Sequence, residues 1–180
     1  HTGDAAIVQE IIARIDALNS LIQDLLVFAR PPKPKLVATN LRALLTSVVT
    51  LLKADPANGQ LEVTLAGEVP GLPSDPALLT IVFQNLLINS AQAMHGRGEV
   101  TVTLEAAGGW HRVDVIDRGP GIHPDIRAAL FRPFKTTKAR GTGLGMATAK
   151  RLVELHEARI SVDCPAVGGT TVTVQLPSRA

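Results

Sequence analysis

Aromatic residues make up only 3% of this chain, cysteine occurs once, and no apolar run approaches the roughly 18 residues needed to span a bilayer. Each scarcity excludes something. A single thiol, Cys164, rules out an internal disulfide and suits a reducing compartment; in its strand-like stretch it reads as a packing residue. Charge of one sign is scarce too, because 18 Lys and Arg against 16 Asp and Glu leave a net +2. With no basic run interleaved with aromatics, nucleic acid is not an expected partner. No signal peptide is visible, and this stretch is expected to be soluble, without membrane contact of its own. What is present is globular material: 180 residues, 46% hydrophobic and 19% charged, enough to bury one core.

Three regions follow from the patterning. Residues 1–30 hold a long amphipathic helix over 5–29, with Val8, Ile11, Ile15, Leu18, Ile22 and Leu25 at alternating spacings of three and four. Ile12, Leu21 and Leu26 widen the stripe. Such a rod is about 37 Å long, and its six seam side chains would leave on the order of 10 kcal/mol unrealised in water. It is expected to seek a partner, most simply a second subunit. Residues 31–38 are a proline-rich linker that stops the helix, PPKPK being unable to continue it.

Residues 39–180 read as one α+β domain, a two-layer sandwich. Helices are expected over 40–53, from a Ser74 or Asp75 cap with Pro76 in the first turn, and over 144–156. Strands are expected at 61–67, 99–107, 110–117, ARISVDC and TTVTVQLP, with the Gly108–Gly109 turn joining an antiparallel pair. Residues 118–142, rich in glycine, proline and lysine, are long enough to be a functional loop.

Asn85 and Asn89 lie one turn apart on one helix face. Core amides bonded to backbone would explain them, but amide oxygens are also donors that Mg²⁺ accepts when phosphates and waters supply its other ligands. Asp117 ends a strand in DRGPGI, where a plain turn accounts for Gly119 and Gly121 but leaves the carboxylate unassigned. GTGLG, residues 141–145, fits neither the dinucleotide fingerprint nor the P-loop spacing, yet it exposes backbone amides just before a helix.

The ordered set NLLINSAQAM, DRGPGI, FRPFKTTK, GTGLG and GGT resembles the N, G1, F, G2 and G3 boxes of sensor histidine kinase catalytic domains. These share the Bergerat ATP-binding fold, a mixed sheet packed on about three helices. LNSLIQDLLVFARPPKPKL also resembles the second helix of the dimerisation and phosphotransfer hairpin. The resemblance implies a bacterial, cytoplasmic histidine protein kinase with ATP and Mg²⁺ as cofactors. Its implied partners are a second copy paired through the N-terminal helix, a phosphoacceptor histidine helix and a response-regulator receiver domain.

Site roles follow from the same resemblance. Asp117 would accept from the adenine amine, with Thr170 supporting it and Gly119, Gly121 and Ile122 beside it. Asn89, with Asn85 next to it, would hold Mg²⁺. Gly141, Thr142, Gly143, Leu144 and Gly145 would hinge a lid and face the phosphates, with Lys138, Thr136 and Thr137 close by. Phe131 and Phe134 would pin the lid. Asn85 stands where gyrase-like hydrolases carry a water-activating glutamate; an amide cannot act as a general base, which favours phosphotransfer over hydrolysis. Asn85 and Lys138 are thus the expected catalytic positions.

One part of the pattern is missing. No phosphoacceptor box is present, since His1 is followed by TGDAA, and His95, His111, His123 and His156 lack acceptor surroundings. A fragment of a larger kinase, its membrane attachment lying elsewhere, is therefore expected. A standalone ATPase, a serine kinase of the same fold or a degenerate partner-binding module are the alternatives.

Overall fold

The computed structural model describes residues 7–8, 11–12, 15, 18, 22, 25–136, 142–166 and 168–178. Near the N-terminus, Ile7, Val8, Ile11, Ile12, Ile15, Leu18, Ile22 and residues 25–29 have helical backbone. Their apolar stripe is exposed, from 40% at Leu25 to 59% at Ile7. Leu21 of the expected stripe lies outside the described residues.

Asn40 starts the first helix of the domain, α1 (Leu41–Ala54), by accepting a hydrogen bond from the Ala43 N–H at 2.9 Å. Its apolar positions recur at helical spacing, so Leu41, Leu44, Leu45, Val48, Val49 and Leu52 are all buried. The second helix, α2 (Pro76–Ala93), begins where Asp75 and Pro76 predict, with the Asp75 carboxylate accepting from the Ala77 and Leu78 N–H groups. It buries Leu78, Leu79, Val82, Phe83, Leu86 and Leu87. A short helix, α3 (Pro124–Arg127), and a longer one, α4 (Gly145–Leu155), complete the helical layer.

Two sheets form. A small antiparallel pair joins β1 (Val37–Thr39) to β3 (Leu72–Ser74). The main sheet holds β2 (Gln60–Ala66), β4 (Arg97–Ala107), β5 (Trp110–Asp117), β6 (Arg159–Asp163) and β7 (Thr170–Pro177) in the order β2-β4-β5-β7-β6. It is mixed: β2 runs parallel to β4 and the other neighbours are antiparallel. Parallel pairing needs a crossover, which β3 and α2 supply. Along β4, β5 and β7 alternate residues (Val100, Val102, Leu104; Val113, Val115; Val172, Val174, Leu176) point into one core with the helices. The opposite face is polar, with Thr173 donating to Asp114 Oδ1 at 2.6 Å.

The remaining expectations sort by burial. His111 is buried and lies 2.9 Å from the Ser178 hydroxyl, and His156 is buried at the end of α4. His95 is exposed in a turn, and exposed His123 caps α3. Trp110 lies half-buried under the Arg159 guanidinium, 4.8 Å from its ring centre. Cys164, half-buried, follows β6 rather than belonging to it. Among the described residues, no helix is long and apolar enough to cross a membrane.

Candidate functional site

Strand β5 ends on Asp117, which is buried although it carries a carboxylate. Burial of that group demands donors. Ser90 on α2 donates its hydroxyl to Oδ2 at 3.2 Å, and the Gly119 N–H donates to Oδ1 at 2.9 Å. Thr170, also buried, is the cross-strand neighbour of Asp117 at the start of β7. The two glycine segments are tied backbone to backbone, the Gly169 N–H donating to the Gly119 carbonyl at 2.8 Å. At Gly169, with φ +85°, a Cβ would lie 2.6 Å from the Asp117 carbonyl oxygen, so no larger residue fits. Gly121 and Ile122 follow half-buried, Gly121 close enough that a Cβ would sit 3.3 Å from the Gly169 carbonyl.

A second cluster forms where α4 starts. The Phe134 N–H donates to the Gly143 carbonyl at 3.0 Å. Gly143, with φ +68°, passes so close to Phe134 and Lys135 that a Cβ would fall 2.7 Å from their backbone. Thr142 Oγ1 accepts from the Leu144 N–H at 3.2 Å, and the Leu144 side chain is buried. Phe134 and Gly143 are therefore held together. Phe134 departs from its expected anchoring role: it is 65% exposed and has φ +61°. Phe131 does pack, with the Lys150 ammonium 5.5 Å from its ring centre. Thr136 is exposed, while Thr137, Lys138 and Gly141 lie outside the described residues.

Asn85 and Asn89 share the α2 face, both half-buried. Asn85 Nδ2 donates to the Ile81 carbonyl at 3.0 Å, and its oxygen lies against Gly145 at the start of α4. Among the described residues no group of three or more His, Cys, Asp or Glu side chains could hold a metal ion. A cation here would draw most ligands from phosphates and water, which suits Mg²⁺ beside a neutral amide.

Two features escaped the sequence. Ser90, next to Asn89, supplies the Asp117 hydroxyl donor; its place one helical step from an expected ligand was the available signal. Asp75 does more than cap α2, because its second oxygen accepts from the Lys35 N–H at 2.7 Å. The Asp75 N–H donates to His156 Nε2 at 3.1 Å, while His156 Nδ1 donates to the Leu152 carbonyl at 2.8 Å. Burial pushes the Asp75 carboxyl up, but the N–H donors of Lys35, Leu78 and Ala77 and the nearby His156 outweigh it, leaving it below the ordinary carboxylate value. The linker is thus fastened to the base of both α2 and α4. A separate cleft of about 470 Å³ lies between Phe28 and Ala29 of the N-terminal segment and Phe131, Pro133 and Lys150.

Comparison with known proteins places the chain in a family. Residues 74–180 match the family described as histidine kinase-, DNA gyrase B- and HSP90-like ATPase. The sensor histidine kinase ZraS of Escherichia coli (strain K12) is 36% identical over 179 residues, covering 97% of this chain and 38% of that protein. AtoS, a signal transduction histidine-protein kinase of the same strain, is 32% identical over 93% of this chain and 28% of its own length. Full-length ShkA, crystallised in complex with AMPPNP, superposes with a TM-score of 0.83 at 27% identity, over 96% of this chain and 38% of that one. The chain spans well under half the length of the curated relatives it matches.

Proposed function

From the premise that the chain belongs to the histidine kinase-, DNA gyrase B- and HSP90-like ATPase family, as the ATP-binding domain of a sensor histidine kinase, we propose that it donates the γ-phosphoryl group of ATP to a histidine on a separate helix, for relay to a response regulator. Asp117 carries this reading. Its carboxylate, held by Ser90 and Gly119, stands at the end of the central strand β5, where an exocyclic amine could donate to it. Guanine would present a carbonyl oxygen there, a mismatch costing roughly 1–3 kcal/mol or more. Thr170, Gly119, Gly121 and Ile122 frame the base.

The backbone N–H groups of Thr142, Gly143 and Gly145 face the phosphates at the positive end of α4, with Leu144 beside them, its own N–H donating to Thr142 Oγ1. The family resemblance assigns Gly141, Lys138, Thr136 and Thr137 to the phosphates as well, and Phe131 to the loop beside them. Asn89 would hold Mg²⁺, which would neutralise phosphate charge when bound with ATP. Asn85 offers water no base, so the bound phosphoryl group waits for an imidazole. The exposed N-terminal stripe pairs two copies of the kinase, which works in the cytoplasm.

Labelled ATP incubated with this chain alone should yield neither acid-labile phosphoprotein nor rapid phosphate release. Adding a hairpin that carries the acceptor histidine should label the hairpin, and Asn89→Ala should suppress that labelling. Labelling of one of the chain's own histidines would defeat the proposal. Fast phosphate release would instead make the chain an ATPase.

A further inference from the structure

A glycine opens α4 at a place where the chain has no room for anything else. A Cβ on Gly145 would lie 2.6 Å from Asn85 Oδ1 and 3.4 Å from its Cγ. The contact atom belongs to a side chain, which normally swings aside. This one is tethered, because Asn85 Nδ2 donates to the Ile81 carbonyl one turn back on α2. Moving the oxygen means giving up that hydrogen bond in a half-buried setting.

We propose that Asn85 is a positioning residue rather than a metal ligand: its tethered amide is the seat on which the glycine start of α4 rests. The seat fixes how far the phosphate-facing end of α4 stands from Asn89, one turn along α2. An amide suits the task on both sides. Its N–H group satisfies the Ile81 carbonyl, and its oxygen points its negative end at the positive end of α4. A carboxylate would lose the donor, and an aliphatic side chain would lose both interactions. The third glycine of GTGLG is then explained by a contact from another helix, not by loop flexibility.

The proposal rests on ATP binding at the start of α4, and its test separates the two. Wild type, Asn85→Ala, Gly145→Ala and the double variant are titrated with a non-hydrolysable ATP analogue in saturating Mg²⁺, and each is also unfolded thermally. Gly145→Ala should weaken the analogue about tenfold, as overpacking against a fixed neighbour does. Adding Asn85→Ala should recover most of that loss, a non-additivity expected only of residues in contact. In a Mg²⁺ titration Asn85→Ala should raise the midpoint far less than Asn89→Ala does, since it removes a spacing contact and no ligand. A double variant no better than Gly145→Ala, or an Asn85→Ala midpoint shifted like that of Asn89→Ala, would overturn the seat. If wild type bound no nucleotide, the ATP reading would fall by itself; the unfolding temperatures would still report the coupling, and additive shifts there would overturn the contact.

Discussion

The two ends of the proposed nucleotide site are built from the same residue type in opposite ways. At the Asp117 end, the glycines sit just past the ends of the sheet strands: Gly169 is bonded to Gly119, and Asp117 is buried beside its β7 neighbour Thr170. At the α4 end, Gly143 is joined to Phe134 by one backbone hydrogen bond, beside a phenyl ring that solvent covers. One end inherits the cooperativity of a five-stranded sheet, whereas the other depends on a local stitch that can open at little cost to the rest. On the proposed reading, base recognition would be rigid and phosphate access adjustable. The glycines alone do not distinguish the two; what packs against them does.

The largest expected effect is at the rigid end. Asp117→Ala should weaken ATP by roughly a hundredfold or more in calorimetry, since a charge-assisted contact is lost. The apo protein should lose only about a few degrees in unfolding temperature, because the Ser90 hydroxyl and Gly119 N–H are left without their acceptor. Wild-type affinity in this variant would remove the distinction between the ends.

Next in size, Gly169→Ala should cost about 2–4 kcal/mol in urea unfolding, since a Cβ there meets the Asp117 carbonyl from a positive-φ backbone. Gly143→Ala introduces a similar clash against Phe134 and Lys135. It should nevertheless cost about 1 kcal/mol or less globally, the strain being relieved by opening the stitch. Hydrogen exchange should then quicken in peptides spanning 131–136 and leave β5 and β7 unchanged. Equal global costs for the two substitutions would mean that both ends belong to one cooperative unit.

The smallest effect is a control that ought to ignore the site. Burial holds the His111 ring below its ordinary pKa, favouring the neutral form in the folded state. Its stabilising contribution is complete above the unfolded value of about 6.5 and is lost as pH falls through the lower folded value. His111→Gln should flatten the decline in stability on the acid side of neutrality without altering ATP affinity. Asp75 acts in a separate, more acidic window: its lowered pKa stabilises above the ordinary carboxylate value and fades as pH falls through the folded one.

Much of the domain was legible because its signals are local. Asp75 and Pro76 announce the start of α2, and the alternation in EVTVTLEAA and WHRVDVID announces a half-buried antiparallel pair. The β1–β3 sheet was not legible, because three-residue strands carry too little alternation to stand out from a linker. The domain's pairing consequently begins at Val37, inside the stretch read as linker. Asp117 could be singled out as a carboxylate without a local use. The Phe134–Gly143 stitch could not, since a backbone-to-backbone bond leaves no mark in side-chain chemistry. Phe134 illustrates the cost: its aromatic identity suggested packing, while its positive φ turns it to solvent.

The Lys35–Asp75 hydrogen bond has a consequence measured in reach. It leaves PPKP, residues 31–34, as the whole leash between the helical segment and the nucleotide domain. Three of those four residues are prolines, and an extended chain of that composition covers about 12 Å with little give. Whatever the helical segment carries is thus held at an effective concentration on the order of millimolar or higher around the nucleotide domain, regardless of how many molecules a cell contains. Cutting the bond at Asp75 would lengthen the leash to the start of β1 at Val37 without adding a residue, diluting the encounter.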